Sequence, residues 1–259
     1  MNDVVDQAGA PTAQQSAQDM INTYWTHRAH AYHENQTASE RAPYDIALWT
    51  REFGRHLPTA PQRVIDVGCG PGFVSHICAS LGHDVTGIDA SPGMLAEARA
   101  EADQHAAEGR PCPSFMRGNA MSVSLGDAVA DVVTSRYLLW TLLDPVQALR
   151  EWLRILRPGG LLICADGNHF PEGIGAELTV DSEGGPDEFT RVYNPLLQRQ
   201  LPLALEQSTD AYVRAFEEAG AVDIQIHPVD GVKEIDERCG LPAGHQHVQY
   251  YMITARKPG

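Results

Sequence analysis

Short apolar runs alternate with amphipathic stretches through the middle of the chain, and glycine or proline residues separate them. The apolar runs predict strands near 62–67, 83–88, 113–117, 129–134 and 160–165. The stretches between them predict helices, notably at 72–81, 92–108 and 145–156. Alternation of strand and helix indicates βαβ units, and therefore a parallel sheet with helices on both faces.

The N-terminal part and one later segment depart from this pattern. Residues 1–18 show no apolar period, so we expect a disordered tail there. Residues 19–60 predict a helical cap of two helices, the first of which begins near Met20. The main domain is expected at 61–259, with an insertion at about 170–206 that we interpret as a lid over the substrate.

The C-terminal part predicts one helix and two strands. The helix is expected at 210–219, and the strands at 222–227 and 247–255. The connection between these strands contains Cys239 and Gly240 and predicts a loop rather than a helix, so we expect the strands to pair antiparallel. The predicted fold is therefore α/β, with a doubly wound, mostly parallel sheet of seven strands.

The composition limits the functional classes. Of 259 residues, 43% are hydrophobic and 20% are charged, which is enough apolar material for a globular core. The formal net charge of −15 disfavours binding to nucleic acid or to an anionic membrane. Neither a membrane-spanning apolar run nor a signal peptide is visible, so we expect a soluble, cytoplasmic protein. The scattered cysteines fit reduced thiols.

The most informative segment joins the first predicted strand to the next helix. It reads Val64-Ile65-Asp66-Val67-Gly68-Cys69-Gly70-Pro71-Gly72, a buried strand followed by glycines at alternate positions. A backbone without Cβ atoms turns tightly and lets a ligand lie against it, and the following helix start offers free N–H groups. A dinucleotide-binding loop would need a third glycine at the position of Phe73.

Five segments, in order along residues 62–165, resemble the motifs of class I S-adenosylmethionine-dependent methyltransferases. The glycine loop resembles the first motif, and the strand that ends at Asp89 resembles the second. The others are Arg117-Gly118-Asn119-Ala120, Asp131-Val132-Val133-Thr134-Ser135-Arg136, and the approach to the fifth strand from Leu153 to Leu161. Similar enzymes include the methyltransferases of ubiquinone and menaquinone biosynthesis and many that act on small natural products.

The resemblance implies S-adenosyl-L-methionine as cofactor, with S-adenosyl-L-homocysteine as product. Asp89 is expected to accept both ribose hydroxyls, Met94 to lie against the adenine, and Asn119 to accept from the adenine amino group. The other cofactor contacts expected along the core are Gly68, Cys69, Gly70, Gly72, Ala90, Ala120, Ser135 and Arg136.

The methionine end of the cofactor is expected to meet two groups. Asp66 would accept from the methionine ammonium. On the first helix of the cap, Tyr24, Arg28 and Tyr32 lie at helical spacing and would place a cation and two hydroxyls beside the methionine carboxylate.

The acceptor is defined only as a class. We expect methyl transfer to an O, N, S or C nucleophile of a small, largely apolar metabolite, in secondary metabolism, by a monomer or homodimer without a metal. His169, just past the fifth strand, is the first candidate for a general base, with His33 and Tyr24 as alternatives. Expected substrate contacts are Trp140, Phe170, Tyr193 and Leu197.

Two other functions stay open. An NAD(P)-dependent oxidoreductase is disfavoured by Phe73 in the loop. A non-catalytic S-adenosylmethionine-binding regulator would lack a pocket for an acceptor. Histidines recur at His27, His30 and His33, but no ordered acidic or cysteine partner accompanies them in the sequence, so a metal site is not expected.

Overall fold

The computed structural model describes residues 13–37, 39–170, 173–175, 187–206, 208–241 and 247–259. The strands are β1 (Arg63–Val67), β2 (Asp84–Asp89), β3 (Ser114–Arg117), β4 (Ala130–Arg136), β5 (Leu156–Gly167), β6 (Val222–Pro228) and β7 (Tyr250–Arg256). The helices are α1 (Ala13–Thr37), α2 (Ala42–His56), α3 (Phe73–Ser80), α4 (Pro92–Ala107), α5 (Pro145–Ile155), α6 (Glu188–Val192), α7 (Pro195–Gln198), α8 (Asp210–Ala219) and α9 (Val232–Cys239).

These strands form one sheet in the order β3-β2-β1-β4-β5-β7-β6. The pairs from β3 to β5 are parallel, whereas β7 runs antiparallel to both of its neighbours, β5 and β6. The direction in which strands are added reverses between β1 and β4, and the carboxyl ends of the strands leave a crevice at such a point. The predicted doubly wound, mostly parallel sheet of seven strands is confirmed.

Helices bury both faces of the sheet. On one face Trp152 of α5 and Phe216 of α8 belong to a buried cluster with residues of the central strands. On the other face α2 and α3 contribute Trp49, Phe53 and Ile77 to a second cluster. The central strands β1 and β4 and the second half of β5 are largely buried because helices cover both faces of the sheet there, whereas β3 and β6 at its edges are partly exposed.

Two predictions about the ends of the chain are wrong. The first helix begins at Ala13, inside the segment predicted as tail, because Ala17 and Ile21 are buried in a third apolar cluster. The predicted loop between the last two strands contains α9, which packs Val232 and Ile235 into the second cluster. The strands nevertheless pair antiparallel as predicted. The rest of the predicted tail, residues 1–12, lies outside the described residues.

The cap helix α1 lies closely against α4. The Thr26 hydroxyl is 3.0 Å from the Ser91 hydroxyl, and a Cβ atom at Gly93 would collide with the carbonyl oxygen of Thr26. Two histidines of α1 add contacts to α4, since His30 lies 3.3 Å from Glu97 and His33 lies near Glu101. In the described part of the chain, no helix is long and apolar enough to cross a membrane.

Candidate active site

The glycine loop between β1 and α3 follows a path that ordinary residues rarely adopt. Gly68, Gly70 and Gly72 have φ angles of 67°, 53° and 91°. The N–H groups of Gly68 and Cys69 both donate to the carbonyl oxygen of Ile88, which ties the loop to β2. At Gly70 an added Cβ would meet only the Met94 sulfur at 3.9 Å, so this backbone faces open space. The loop therefore presents a bare backbone surface to a ligand.

Asp89 joins the loop to the start of α4. Its Oδ2 accepts from the N–H of Gly70 at 2.9 Å, and its Oδ1 accepts from the N–H of Ser91 at 2.8 Å. Burial raises the pKa of Asp89, and the backbone hydrogen bonds partly oppose that rise. Each carboxylate oxygen keeps a further lone pair, so a fixed carboxylate faces the crevice with two acceptors side by side.

A cleft of about 770 Å³, partly open to solvent, lies over the loop and Asp89. Nine of the predicted ligand residues line it: Tyr32, Gly68, Gly70, Asp89, Ala90, Met94, Asn119, Ala120 and Arg136. Sequence reasoning missed the wall that α1 supplies, made of Gln18, Ile21, Asn22 and Trp25. It also missed Tyr137, Leu138, Thr141 and Leu142, which follow β4.

A smaller pocket lies beside the cleft, under the glycine loop, and we call it the loop pocket. Asp66 and Arg136 are its charged residues; Tyr32, Gln36, Gly68, Cys69, Gly70, Pro71, Phe73 and Val74 complete its walls. Asp66 accepts hydrogen bonds from the hydroxyls of Ser75 at 2.6 Å and Thr134 at 3.0 Å. Burial nevertheless raises the pKa of Asp66 to about 6.

The guanidinium of Arg136 lies at the junction of these spaces. It lies over the rings of Phe73, Tyr137 and Trp49, at 4.2, 4.4 and 5.3 Å from their centroids. Within the described ranges it forms no ion pair with a carboxylate. A half-buried cation held among aromatic rings with donors to spare is suited to an anionic group of a ligand.

A third space adjoins the cleft, and we call it the aromatic cavity. It holds about 1220 Å³, partly open to solvent, and it shares Trp25, Tyr32, Arg136 and Tyr137 with the cleft. Its further aromatic residues are Tyr24, Trp49, Trp140, Phe170, Phe189 and Tyr250. Because the two spaces have these walls in common, a ligand in the cavity would lie next to a ligand in the cleft.

His169 faces the aromatic cavity and is held by a carboxylate. Its Nε2 lies 2.9 Å from Oδ1 of Asp166, and its side chain is 12% exposed. Tyr137 and Trp140 flank the imidazole, with ring centroids at 5.0 and 5.4 Å. Tyr137 has a positive φ of 58°, which is a strained conformation for a tyrosine and is typical of functional sites.

Comparison with known proteins agrees with this arrangement. Residues 65–164, which run from β1 through β5, match the model of the methyltransferase domain family. Over these residues the chain is similar to methyltransferase domains, as the sequence motifs also indicate. The resemblance stated from the sequence motifs is therefore confirmed.

Two relatives show how far the match to this methyltransferase domain extends. The chain is 33% identical over 135 residues to the ubiquinone biosynthesis O-methyltransferase of Ruegeria pomeroyi, which covers 50% of this chain and 53% of the relative. It is 33% identical over 155 residues to the demethylmenaquinone methyltransferase of Renibacterium salmoninarum, covering 59% and 56%. The chain thus spans about half the length of the curated relatives it matches.

Solved structures share the fold of the methyltransferase domain. The phosphoethanolamine N-methyltransferase 2 of Haemonchus contortus, in complex with S-adenosyl-L-methionine, is 15% identical with a TM-score of 0.57, covering 95% of this chain and 58% of that one. The cyclase SpnF is 21% identical with a TM-score of 0.62, covering 96% and 97%. At these identities the likeness shows the fold alone, and a cyclase among the matches means that the fold does not decide the reaction.

Several residues predicted for the site of the methyltransferase domain lie outside the walls of the three spaces. Gly72 caps α3, and a Cβ there would meet the Phe115 ring at 2.9 Å. Ser135 is buried and donates to the carbonyl oxygen of Val67 at 2.9 Å. His33 faces Glu101 of α4. Tyr193 and Leu197 are buried in the third apolar cluster, behind the walls.

Tyr24, Arg28 and Tyr32 of α1, predicted to meet the methionine end of the cofactor, do not all reach the same spaces. Tyr32 lines the cleft, the loop pocket and the aromatic cavity, whereas Tyr24 and Arg28 line the aromatic cavity alone. Neither Tyr24 nor Arg28 reaches the loop pocket. The cation there is Arg136, not Arg28 as predicted.

Replacing Asp66 with asparagine is expected to stabilise the fold in a pH-dependent way. Its pKa is about 6 in the folded protein but ordinary in the unfolded chain, so the stability that protonated Asp66 contributes is full below its ordinary pKa and is lost as the pH rises through about 6. We expect Asp66→Asn to raise the free energy of unfolding at pH 8 by about 1 to 3 kcal/mol and to change it much less at pH 4.

Urea unfolding of the ligand-free protein at the two pH values measures this difference. Asp84→Asn is the matched control, because Asp84 is an exposed aspartate at the start of β2, and we expect it to change neither value. An Asp66→Asn variant that is equally destabilised at both pH values would contradict the buried, pKa-raised carboxylate.

Proposed function

We propose that the protein transfers a methyl group from S-adenosyl-L-methionine to a small-molecule acceptor. The observation that carries the proposal is the continuity of the three spaces: a cleft ending at Asp89, a loop pocket with Asp66 and Arg136, and an aromatic cavity that adjoins both. Such an arrangement has room for an adenosyl group, an amino-acid group and a separate acceptor, which a simple binding protein would not need.

The residues present fit the cofactor at each end. The Asp89 carboxylate suits a pair of neighbouring ribose hydroxyls, and the open face of Gly70 leaves the space that an adenosyl group requires. In the loop pocket the buried acceptor Asp66 suits an ammonium group, and Arg136, without an ion pair in the described ranges, suits a carboxylate. We therefore assign the methionine carboxylate to Arg136 rather than to Arg28.

The protein's contribution to the reaction is mainly positional. Bound S-adenosylmethionine supplies an activated methyl group on a good leaving group, so the chain has to align the acceptor and keep water out. Trp25 and its neighbours on α1 cover the cleft, and the rings shared between the cleft and the aromatic cavity enclose the place where two ligands meet. Transfer therefore takes place where Tyr32, Arg136 and Tyr137 line both spaces.

The acceptor we propose is a small metabolite with a large apolar surface. Its support is the aromatic cavity, together with relatives whose names place them in ubiquinone and menaquinone biosynthesis. The lid at 170–206 stays a proposal. Its described part contributes Phe170 and Phe189 to the cavity wall, while 171–172 and 176–186 lie outside the described residues. The cytoplasmic location and the role in secondary metabolism remain predictions.

Calorimetric titration tests the cofactor assignment against the oxidoreductase alternative. We expect S-adenosylhomocysteine to bind the purified protein with one site per chain and NAD to show no saturable binding. Saturable binding of NAD in place of S-adenosylhomocysteine would overturn the proposal.

Replacing Trp140 is expected to weaken binding of the acceptor but not of the cofactor. It lines the aromatic cavity but not the cleft, so Trp140→Leu should raise the KM of the acceptor at least about tenfold and leave cofactor affinity within about twofold of the original value. Steady-state kinetics with calorimetry separates the two effects. Tyr193→Phe is the control, since Tyr193 lies behind the wall and loses only its hydroxyl contacts to Trp25 and Thr141. Equal loss of cofactor affinity in Trp140→Leu would contradict the separate cavities.

A further inference from the structure

We propose that the acceptor is a flat aromatic compound with an ionisable hydroxyl, and that His169, held by Asp166, removes the proton from that hydroxyl. The inference rests on the proposed methyl transfer. It adds to that proposal an acceptor class, a general base and a positioning residue, Tyr212.

The walls of the aromatic cavity favour a flat ring over an aliphatic chain. Around His169 the rings of Tyr137, Trp140, Tyr250 and Phe170 lie with centroids at 5.0, 5.4, 5.5 and 6.5 Å. At these separations and tilts, the rings expose faces and edges to the cavity, and another aromatic ring packs well against such surfaces. A planar acceptor would thus lie beside the imidazole.

The charges of the cavity do not favour a cationic acceptor. Arg41 pairs with Asp45 at 2.9 Å and with Asp236 at 2.6 Å, so the two aspartates of the wall already face a cation. Arg28 is a further cation in the wall, whereas Arg136 is assigned to the methionine carboxylate. The wall therefore offers an acceptor no excess of negative charge, which disfavours a cationic amine.

The contact with Asp166 decides which nitrogen of His169 serves as the base. Asp166 accepts from the N–H groups of Leu139 at 2.8 Å and Gly167 at 2.9 Å, so its carboxylate is fixed as an acceptor. The Nε2 of His169, at 2.9 Å from the same carboxylate, therefore carries the hydrogen. The lone pair is left on Nδ1, which is the arrangement a general base requires.

Tyr212 of α8 supports this pair from the far side. Its hydroxyl donates to the carbonyl oxygen of Gly167 at 3.0 Å and lies 3.4 Å from Oδ1 of Asp166. Burial, together with the charge of Asp166, raises the pKa of Tyr212 well above its usual value, so the hydroxyl stays protonated as a donor. Tyr212 does not line the aromatic cavity, so it acts on the acceptor only through Asp166 and His169.

The proposed step balances without any further reactant. The O–H bond of the acceptor breaks and its proton goes to Nδ1 of His169, while the oxygen forms a bond to the methyl carbon. The carbon–sulfur bond breaks and its electron pair stays on sulfur, which gives S-adenosylhomocysteine and the methyl ether. The imidazolium then returns its proton to solvent, so one proton is released for each methyl group transferred.

The first test uses 4-nitrocatechol, whose phenolate absorbs visible light, with the protein saturated with S-adenosylhomocysteine. We expect the bound compound to ionise at a pH about one unit or more below that of the free compound, because His169 takes its proton. His169→Gln should abolish most of the shift, and Tyr212→Phe should reduce it while binding persists. His227→Gln is the control, since His227 lines none of the three spaces, and we expect it to leave the shift unchanged.

The second test uses turnover with two acceptors at pH 8. For catechol, which is not ionised there, we expect His169→Gln to lower kcat about 100-fold or more, whereas for the more acidic 4-nitrocatechol the loss should stay below about tenfold. Equal losses with both acceptors, or no binding of 4-nitrocatechol to the S-adenosylhomocysteine complex, would overturn the inference. Failure of the original protein to bind S-adenosylhomocysteine would instead overturn the proposed function.

Discussion

Replacing Asp89 with alanine is expected to weaken S-adenosylhomocysteine binding by about 2 to 4 kcal/mol, or roughly 30- to 1,000-fold. The carboxylate faces the cleft at the end of β2, and its loss removes both acceptors proposed for the ribose hydroxyls. It also leaves the N–H groups of Gly70 and Ser91 without their partner, so the loop that contacts the ligand loosens. Calorimetry well below the melting temperature measures the affinity of the folded variant.

The control for this substitution is Asp84→Ala. Asp84 begins the same strand, but its side chain is exposed and lies 3.9 Å from Arg63 in a surface pair. We expect that variant to bind S-adenosylhomocysteine as the original protein does. Unchanged affinity in Asp89→Ala would remove Asp89 from the cofactor site.

Gly70→Val is expected to abolish measurable cofactor binding. The added Cβ would project towards the cleft, where the nearest atom is the Met94 sulfur at 3.9 Å, so the side chain would enter the space assigned to the adenosyl group. The positive φ of 53° adds backbone strain of about 1 to 2 kcal/mol, which lowers stability as well.

A substitution at a second glycine separates the effect of backbone strain from the effect of filling the cleft. Gly109 has a φ of 71°, and an added Cβ would meet nothing within 4 Å. Gly109→Val therefore carries a similar strain at a distance from the cleft. We expect both variants to melt at lower temperature, but only Gly70→Val to lose S-adenosylhomocysteine binding. Cofactor affinity that survives in Gly70→Val would show that the ligand does not lie against the loop.

The sheet and the cleft floor were predictable because their signals are local. Alternating glycines after a buried strand allow the positive φ angles that a tight loop uses, and Gly68, Gly70 and Gly72 all have them. Asp89 follows from its place at the end of the next strand, since the carboxyl ends of neighbouring parallel strands meet at one edge of the sheet. These positions depend on a few neighbouring residues, so the sequence pattern was enough.

The positions of the residues in the walls of the cleft and the aromatic cavity depend on packing between segments that are distant in the sequence. Helical spacing put Tyr24, Arg28 and Tyr32 on one face of α1, but the close contact of Thr26 with Gly93 sets how α1 is turned over the cleft. No pattern within α1 reveals that contact.

Apolar character alone also fails to separate a cavity wall from the core behind it. Tyr193 and Phe170 were predicted to share one role, yet Phe170 lines the aromatic cavity and Tyr193 is fully buried. The helix α9 was missed for a related reason, because its eight residues include five charged ones and only the packing of Val232 and Ile235 against α2 and the sheet explains why the segment is helical.

Mass spectrometry with methyl-deuterated S-adenosylmethionine tests the central claim most directly. The protein is incubated with the labelled cofactor and a set of hydroxylated aromatic acceptors that includes catechol and 4-nitrocatechol. We expect one acceptor or more to gain a single labelled methyl group in step with the formation of S-adenosylhomocysteine, and Gly70→Val to form neither product. An acceptor that is converted without gaining the label, or bound cofactor that is recovered intact with every acceptor, would contradict methyl transfer.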